Sequence, residues 1–298
     1  MPVTAPRIRL STIVLHGMFL AFCVIFIIPL WSLIAISLSS DSDIANFGYQ
    51  LIPRTISFEA YVYIFKKPMV IINSYKVTMI ISIIGTLLSV WVMSMCAYAL
   101  SRKDFKYRTV ITFYMFFTML FSGGLVPYYI LMTKYLHLQN TYASLILPLI
   151  SNVWYLFLMR TFFTQIPESL AESAKIDGAG EARIYWTLII PLSRPVIATI
   201  GLFQLLAYWN SWYQALLFIS KGSMYPLQYL LQIMMQNIQE IIKNMQNNVP
   251  FNAAYLDSLP TENMRMAMCI LAIGPMLVVF PFFQKYFAKG ITVGAVKG

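Results

Sequence analysis

Residues 77–101 read VTMIISIIGTLLSVWVMSMCAYALS, which is 25 consecutive residues without an Asp, Glu, Lys or Arg. A helix needs about 20 apolar residues to cross the hydrocarbon core of a bilayer, so this segment is long enough to span a membrane. The basic stretch SRKDFKYR follows directly at residues 101–108. Because Lys and Arg accumulate in cytoplasmic loops, the segment predicts a transmembrane helix that ends on the cytoplasmic side.

Five further windows without charged residues extend this interpretation to the whole chain. They cover residues 10–40, 109–133, 141–159, 195–220 and 266–284. The chain is 59% hydrophobic and only 11% charged, whereas soluble domains contain about 25% charged residues. A very apolar soluble core would also give this composition, but it would not need windows of bilayer length. The first window is too long for the apolar region of a signal peptide, so no cleaved leader is expected.

We therefore predict an all-α membrane protein with six transmembrane helices in a single domain over residues 1–298. The expected spans are about 11–39, 77–101, 108–132, 143–162, 195–219 and 264–286. Glycines and a proline at positions 123, 124 and 127 predict a kink or break in the third span, since membrane helices tolerate both residue types. A long loop at about 164–194 separates spans four and five.

The distribution of the 21 Lys and Arg residues predicts the orientation of these spans. With the N-terminus inside, 13 basic residues fall on the cytoplasmic side and 8 fall outside. This bias agrees with the positive-inside rule and places both termini in the cytoplasm. The net charge of +10 would suggest a nucleic-acid partner in a soluble protein. In a membrane protein the topology explains it, so we expect contact with membrane lipid and no nucleic acid.

The cysteines and histidines predict no metal site. Cys23, Cys96 and Cys269 all lie within expected spans, far apart in sequence, and are interpreted as small packing residues. His16 and His137 are isolated, and none of the six windows contains an acidic residue. Proton-coupled transport and acid–base catalysis both need ionisable groups inside the membrane, so both classes are disfavoured.

Outside the expected spans, residues 227–245 carry apolar side chains at steps of three and four, with Gln, Asn, Glu and Lys at many of the other positions. This pattern predicts an amphipathic helix. Such a helix could pack on the outer face of the protein itself, or it could form a docking surface for a partner outside the membrane.

The loop between spans four and five contains QIPESLAESAKIDGAGEAR at residues 165–183. Pro167 suits the first position of a helix, and Gly178 suits the left-handed position just beyond its end. Ile166, Leu170 and Ala174 are spaced to share one face. A second short helix is expected from residue 181 to residue 190, ending before Pro191. The loop therefore predicts a helix–turn–helix on the cytoplasmic surface.

The same loop resembles the cytoplasmic signature of binding-protein-dependent ABC importer permeases. That signature is Glu-Ala-Ala, three residues, Gly, nine residues and Ile-x-Leu-Pro. The corresponding residues in this chain are Glu172-Ser173-Ala174, Gly178 and Leu188-Ile189-Ile190-Pro191. The spacing agrees throughout, and the three departures keep size or apolarity. The resemblance covers nearly the whole chain and is greatest to the smaller permease of carbohydrate importers, the maltose-permease type with its alginate-importer subgroup.

This resemblance implies that the first loop helix is a coupling helix, which would seat in a groove of a separate ATPase subunit. The implied ATPase-coupling residues are Glu172, Ser173, Ala174, Asp177, Gly178, Ala179 and Pro191. It also implies a second permease subunit as heterodimer partner, a dimeric ABC ATPase that binds ATP and Mg, and an extracellular solute-binding protein. This chain would bind no cofactor and would lie in the bacterial cytoplasmic membrane. The alternative interpretation is an ordinary surface loop.

Aromatic and amide side chains cluster in spans four and five, and they predict a substrate pathway. The candidates are Asn152, Trp154, Tyr208, Trp209, Asn210 and Trp212. Polar groups inside membranes usually face a cavity, and aromatic faces with amides suit the C–H faces and hydroxyl groups of a sugar. The alternative is an interfacial belt, because Trp and Tyr also gather at membrane boundaries.

These observations predict an ABC importer permease that moves an oligosaccharide or polysaccharide-derived sugar into the cytoplasm. The alternative is the same machinery carrying a non-sugar solute such as a peptide or an amino acid. The chain lacks the G-x-x-x-x-G-K-[ST] phosphate loop, so ATP hydrolysis would take place on another subunit and this chain would not be an enzyme. A purely structural membrane protein would have no need of the loop signature.

Overall fold

The structure is a computed structural model that describes residues 10–65, 68–246 and 262–295. Within these ranges the chain forms helices and turns, and the only paired extended backbone is an isolated bridge between Ser39 and Ile56. The basic residues Arg7, Arg9 and Lys297, which contribute to the predicted orientation, lie outside the described residues, as do Lys66 and Lys67.

Helices account for most of the described chain. In chain order they are α1 Leu10–Ser37, α2 Asp41–Phe47, α3 Glu59–Ile64, α4 Pro68–Ser101, α5 Arg108–Leu120, α6 Leu125–Ile130, α7 Tyr142–Ile146, α8 Val153–Phe163, α9 Glu168–Ile176, α10 Glu181–Ile184, α11 Ile190–Leu192, α12 Arg194–Trp209, α13 Tyr213–Phe218, α14 Leu227–Gln246 and α15 Glu262–Ala295. Residues Leu131–Tyr135 and Tyr185–Ile189 form π-helical turns, and residues Leu147–Leu149 and Gly222–Met224 form 3₁₀ turns.

Three helical segments are long and apolar enough to cross a membrane, namely Ser11–Ser37, Pro68–Ser101 and Glu262–Gln284. Three pairs of helical segments reach the same length only when taken together. Arg108–Leu120 with Leu125–Tyr135 bends by 111°, Tyr142–Leu149 with Val153–Phe163 by 51°, and Glu181–Leu192 with Arg194–Trp209 by 82°. The described residues therefore contain three candidate spans, or up to six if each bent pair is one span.

The expected break in the third span is confirmed. Helix α5 ends at Leu120, and α6 begins at Leu125 after a short non-helical segment. Gly124 adopts φ +85°, a left-handed conformation that glycine enters at no steric cost. The sharp turn between the two helices therefore coincides with the glycines singled out in the sequence.

Two other helix boundaries differ from the expected spans. Helix α4 begins at Pro68 rather than near residue 77, so Lys76 interrupts the uncharged window without interrupting the helix. Helix α12 ends at Trp209, ten residues before the expected end at 219. There the Asn210 amide donates a hydrogen bond of 2.9 Å to the Leu206 carbonyl oxygen. Asn side chains that bond nearby backbone groups compete with helix continuation, which explains the early end.

The chain divides into two compact units, and the smaller consists of Met1–Pro68 and Met234–Ile273. Within it, the Trp31 indole donates a hydrogen bond of 2.8 Å to the Leu51 carbonyl oxygen. The Asn263 amide donates one of 3.1 Å to the Ser39 carbonyl oxygen. These bonds attach the segment after α1 and the start of α15 to the end of α1. The apolar side chains of α1 are largely exposed, as expected of a helix that faces lipid.

The larger unit consists of Met69–Ile233 and Gly274–Gly298 and contains two buried clusters. One cluster includes Met93, Leu156 and Ile200 and joins α4, α8 and α12. The other includes Ile81, Leu145 and Tyr208. The predicted amphipathic helix is confirmed as α14, and its first residues also pack into the second cluster.

Candidate functional site

The first helix of the 164–194 loop is α9, and its C-terminal cap follows from Gly178. Gly178 adopts φ +79°, and its backbone N–H donates to the Lys175 carbonyl oxygen at 3.0 Å. The Ala179 N–H donates to the Ala174 carbonyl oxygen at 2.9 Å. This pair of bonds is the Schellman arrangement, which satisfies the last carbonyl groups of a helix. The predicted cap at Gly178 is confirmed.

The buried face of α9 differs from the predicted one at one position. Ala171 is buried, and Ala174 packs against the same core cluster from a half-buried position. Leu170 is 43% exposed, although the predicted stripe included it. Ile166 does pack against the core, but it lies before the helix begins at Glu168. A spacing of four residues counted from a non-helical position therefore does not define a helical face.

The predicted coupling residues lie on two sides of the loop. Glu172, Ser173, Asp177 and Gly178 are exposed. Three others are half-buried against the protein itself, namely Ala174, Ala179 and Pro191. The exposed residues form the face that another protein can reach, whereas the half-buried residues hold the helix pair against the larger unit.

Ile176 is the functional candidate that sequence reasoning missed. It occupies the last position of α9 and is 87% exposed, which is unusual for an isoleucine. It lies three and four residues after Ser173 and Glu172, so the three side chains share one face of the helix. An apolar residue on this otherwise polar face, four positions after the Glu of the signature, is the signal that was available in the sequence.

The second half of the loop does not end before Pro191 as predicted. Helical structure runs from Glu181 to Leu192 through a π-helical turn, in which the Ile190 N–H donates to the Tyr185 carbonyl oxygen five residues back. Proline lacks the N–H and crowds the carbonyl of the preceding turn. A wider turn immediately before Pro191 allows the chain to continue helically. Tyr185 is buried, and its hydroxyl lies 2.7 Å from Ser94 Oγ of α4.

Charged side chains connect the loop to the segment between α4 and α5. Lys175 Nζ lies 2.7 Å from Glu181 Oε1 and 3.3 Å from Asp104 Oδ2. Lys103 Nζ lies 2.7 Å from Glu168 Oε2 at the other end of α9. The guanidinium of Arg102 lies 3.4 Å from Asp104 and 3.9 Å from Glu181. Positive and negative groups therefore alternate along this contact.

These contacts shift the pKa values of the groups involved. The hydrogen bond from Lys103 lowers the pKa of the Glu168 carboxyl group. Hydrogen bonds to Glu181 and Asp104 raise the pKa of the Lys175 ammonium group. Slight burial raises the pKa of the Asp104 carboxyl group, but the hydrogen bond from Lys175 and the charge of Arg102 lower that pKa by more, so it lies below its ordinary value. All of these groups therefore remain charged over the physiological pH range.

The six candidate pathway residues separate by exposure. Asn152, Trp154, Asn210 and Trp212 are exposed, whereas Tyr208 and Trp209 are buried within the larger unit. The Asn152 side chain caps α8, since its Oδ1 accepts hydrogen bonds from the backbone N–H groups of residues 154 and 155 at 3.0 and 3.3 Å. Asn210 and Trp212 flank the break between α12 and α13.

The buried Tyr208 belongs to a polar network between α4, α12 and the residues after α7. Its hydroxyl lies 2.9 Å from the Ile146 carbonyl oxygen and 3.0 Å from Ser89 Oγ. The Gln204 amide, also buried, donates to the Leu149 carbonyl oxygen and to Ser89. The network thus satisfies carbonyl groups where the helical chain bends after α7, as a broken membrane helix requires.

Within the described residues, no group of three or more His, Cys, Asp or Glu side chains is arranged to hold a metal ion. The three cysteines lie in three different helices. Cys23 is exposed, whereas Cys96 and Cys269 are half-buried.

Long apolar helices and bent helical pairs, joined by a loop that carries an exposed helix pair, are the features of a multi-pass membrane protein. The chain belongs to the family of binding-protein-dependent transport system inner membrane components, whose model matches residues 95–293. The resemblance inferred from the loop signature is thereby confirmed. Members of this family are permease subunits of the bacterial inner membrane and not enzymes, and in ABC importers a separate subunit hydrolyses ATP.

Comparison with individual proteins agrees with the family assignment. The chain is 38% identical over 293 residues to the polygalacturonan/rhamnogalacturonan transport system permease protein YtcP of Bacillus subtilis, covering 97% of this chain and 99% of the relative. It is 37% identical to protein LplC of Bacillus subtilis, covering 92% and 90%. A crystal structure of a bacterial ABC transporter involved in the import of the acidic polysaccharide alginate contains a chain that is 27% identical, with a TM-score of 0.79 and coverage of 96% and 100%.

Proposed function

We propose that this chain is the permease subunit of an ABC importer that moves an oligosaccharide or polysaccharide-derived sugar into the cytoplasm. The observation that carries the proposal is the 38% identity, over nearly the full length of both chains, to a permease named for polygalacturonan and rhamnogalacturonan transport. The similarity to arabinooligosaccharide permeases and to a chain of the alginate importer favours the same substrate class.

The proposed topology has six spans and both termini in the cytoplasm, within one transmembrane domain over residues 1–298. Three continuous helices and two bent helical pairs, Arg108–Leu120 with Leu125–Tyr135 and Tyr142–Leu149 with Val153–Phe163, supply five segments of sufficient length. The sixth is the uncharged window 195–220, which contains nearly all of α12 and all of α13. The split of 13 basic residues inside against 8 outside supports this orientation. The loop at 164–194 then lies in the cytoplasm, where an ATPase subunit can reach it.

The proposed partners are those that membership of this permease family implies. A second permease forms the other half of the translocation path, a dimeric ABC ATPase binds ATP and Mg, and an extracellular solute-binding protein delivers the sugar. The exposed face of α9 supports docking to the ATPase, because Glu172, Ser173 and Asp177 surround the exposed Ile176. An apolar side chain within a polar rim is the usual anatomy of a protein interface.

The proposed substrate pathway uses the exposed members of the aromatic and amide cluster. Asn152, Trp154, Asn210 and Trp212 would face the sugar, since their side chains are accessible. Tyr208 and Trp209 would support the pathway wall from behind, because both are buried in the protein. Helices α8 and α12 carry three of these six residues, and the helices pack together through the rings of Tyr155 and Phe203, whose centroids are 5.9 Å apart.

The test is co-expression of the tagged chain with its genomic neighbours, followed by purification in detergent and measurement of ATP hydrolysis. We expect a second permease and an ATPase to co-purify. We also expect hydrolysis to rise with a binding protein loaded with an oligogalacturonide or an arabinooligosaccharide. Stimulation by a peptide-loaded binding protein, with none by sugars, would contradict the substrate class. Purification of the chain alone would contradict the importer itself.

The docking face has its own matched test. Ile176→Ala removes the exposed apolar side chain from α9, and Ile52→Ala removes an isoleucine that is 76% exposed outside the loop. We expect the first variant to bind the ATPase at least about fivefold more weakly and the second to bind it normally. Equal binding by both variants would show that α9 does not dock through this face.

A further inference from the structure

The segment between α4 and α5, residues 102–107, contacts α9 near both of its ends. At the N-terminal end, Lys103 Nζ lies 2.7 Å from Glu168 Oε2. At the C-terminal end, Asp104 Oδ2 lies 3.3 Å from Lys175 Nζ. Glu168 and Lys175 are seven positions apart, which is about 10 Å along a helix. The segment therefore bridges most of the length of α9 with two adjacent residues. We call residues 102–107 the strap.

Apolar side chains of the strap and of α9 pack against the same core cluster. Phe105 is half-buried against the core cluster that contains Ala171, the most buried residue of α9. Ala174 is half-buried against the same cluster. An isolated ion pair at an exposed surface contributes little to stability, so the ionic contacts alone would hold α9 only loosely. Together with the packing of small side chains, they fix both its position and its rotation.

The end of α4 is tied to the second half of the loop as well. The Tyr98 hydroxyl donates a hydrogen bond to the Glu181 carboxylate at the start of α10. The rings of Tyr98 and Tyr185 lie 5.5 Å apart, and the Tyr185 hydroxyl lies 2.7 Å from Ser94 Oγ. Glu181 also accepts from Lys175, so one carboxylate connects α4, α9 and α10. Movement of α9 relative to α4 would therefore disturb the Lys175–Glu181 pair in addition to the two ionic contacts with the strap.

We propose that the strap makes α9 and the end of α4 move as one body, so that force applied to the coupling helix reaches the second span directly. This inference rests on the proposed function. Along the chain, α9 is connected only to the spans that precede and follow its own loop. The strap adds a non-covalent connection to α4, whose 34 residues run back to Pro68. Attachment at two points about 10 Å apart resists tilting of the helix, which a single contact would permit.

Within the strap, Lys103 and Asp104 are positioning residues, and removal of their side-chain contacts should uncouple transport from hydrolysis. The double variant Lys103→Met/Asp104→Ala removes both ionic contacts with α9. The measurement uses the complete complex in proteoliposomes. We expect ATP hydrolysis to persist while the amount of sugar transported per ATP falls about fivefold or more, because coupling between two sites in a protein is typically worth at least about fivefold. Lys106→Met is the matched control, because Lys106 lies in the same segment with its ammonium 5.8 Å from the Tyr107 ring.

A crosslink tests the same idea by replacing the Lys103–Glu168 ion pair with a covalent connection. The double variant Lys103→Cys/Glu168→Cys, in a chain whose three native cysteines are replaced, is joined by a short bifunctional thiol reagent. If α9 and the strap move as one body, the crosslinked complex keeps transport within about twofold of the untreated complex, well below the smallest usual coupling effect. Loss of transport on crosslinking would overturn the proposal, because it would show that the two parts must separate during the cycle.

The outcomes distinguish the strap from the proposed function. If the unmodified complex does not assemble with an ATPase or transport sugar, the importer proposal fails, and the strap fails with it. If that complex transports sugar but the double variant transports the normal amount of sugar per ATP hydrolysed, only the proposal about the strap is overturned. A fall in transport and hydrolysis by the same factor would also overturn it, since this is the signature of a merely structural contact.

Discussion

Gly85 is the position where one added methyl group has the most direct consequence. A Cβ atom built on Gly85 would lie 2.6 Å from Tyr208 Cζ and 2.7 Å from both neighbouring ring carbons. Such distances are far below van der Waals contact, so the Tyr208 ring must shift. The ring is fully buried, and its hydroxyl is held 2.9 Å from the Ile146 carbonyl oxygen and 3.0 Å from Ser89 Oγ. A shift large enough to remove the clash would therefore disrupt the network around the bend after α7.

The expected cost of Gly85→Ala follows from this geometry. Overpacking of a close-packed interior usually costs about 1–3 kcal/mol. For a chain of this size, each kcal/mol lowers the melting temperature by about 2–4 °C, which predicts a decrease of about 2–12 °C. Thermal unfolding of the purified chain in detergent, followed by fluorescence, measures it. Gly201→Ala is the matched control in α12, because its Cβ would meet nothing closer than Val90 Cγ2 at 3.8 Å.

The control should be neutral or slightly stabilising, since Ala favours a helix by about 1 kcal/mol over Gly. Equal melting temperatures for Gly85→Ala and Gly201→Ala would refute the packing argument, because both variants share the gain in helix propensity. Tyr208→Phe supplies a second check, because it removes the hydroxyl and keeps the ring. We expect it to lower the melting temperature through the loss of about 1 kcal/mol of hydrogen bonding, without changing the affinity for sugar. A specific loss of sugar affinity would show that Tyr208 faces the pathway and not the core.

Further predictions concern the coupling loop. Gly178→Pro should abolish transport while the protein still inserts, because proline cannot adopt φ +79°; normal uptake would argue against the coupling role. Gly178→Ala should reduce the melting temperature, since the left-handed conformation costs about 1–2 kcal/mol for a residue with a Cβ. The Glu168 carboxyl has a lowered pKa, so its contribution to stability is present above its unfolded pKa and is lost as pH falls through its folded pKa. The difference in melting temperature between the unmodified chain and Glu168→Gln should therefore stay constant from about pH 6 to pH 9 and decrease only in acid, once the pH falls below the ordinary Glu pKa of about 4.3; a difference that does not decrease in acid would contradict the ion pair.

Local chemistry explains which features could be predicted from the sequence. The bilayer-length windows depend only on composition along the chain, and the break between α5 and α6 contains Gly123 and Gly124, with Pro127 in the first turn of α6. The end of α9 depends on one glycine that can take a left-handed conformation. The family signature in the loop depends on spacing alone. In each case the decisive interactions lie within a few residues of one another, so they are legible without a tertiary structure.

Tertiary packing decided the remaining features, because they depend on contacts between distant segments. Whether Ala171 or Leu170 is buried depends on the rotation of α9 against α4 and α8. The strap pairs residues that are 65 and 71 positions apart, and neither partner shows in its own neighbourhood that it has one. Tyr208 is an aromatic residue, and on that ground the sequence predicts it to contact a sugar. Its burial arises from α4 and the residues after α7, which surround it only in the folded chain. Helix caps and apolar windows depend on residues that are neighbours in the sequence, whereas burial and ion pairing depend on contacts that form only in the folded chain.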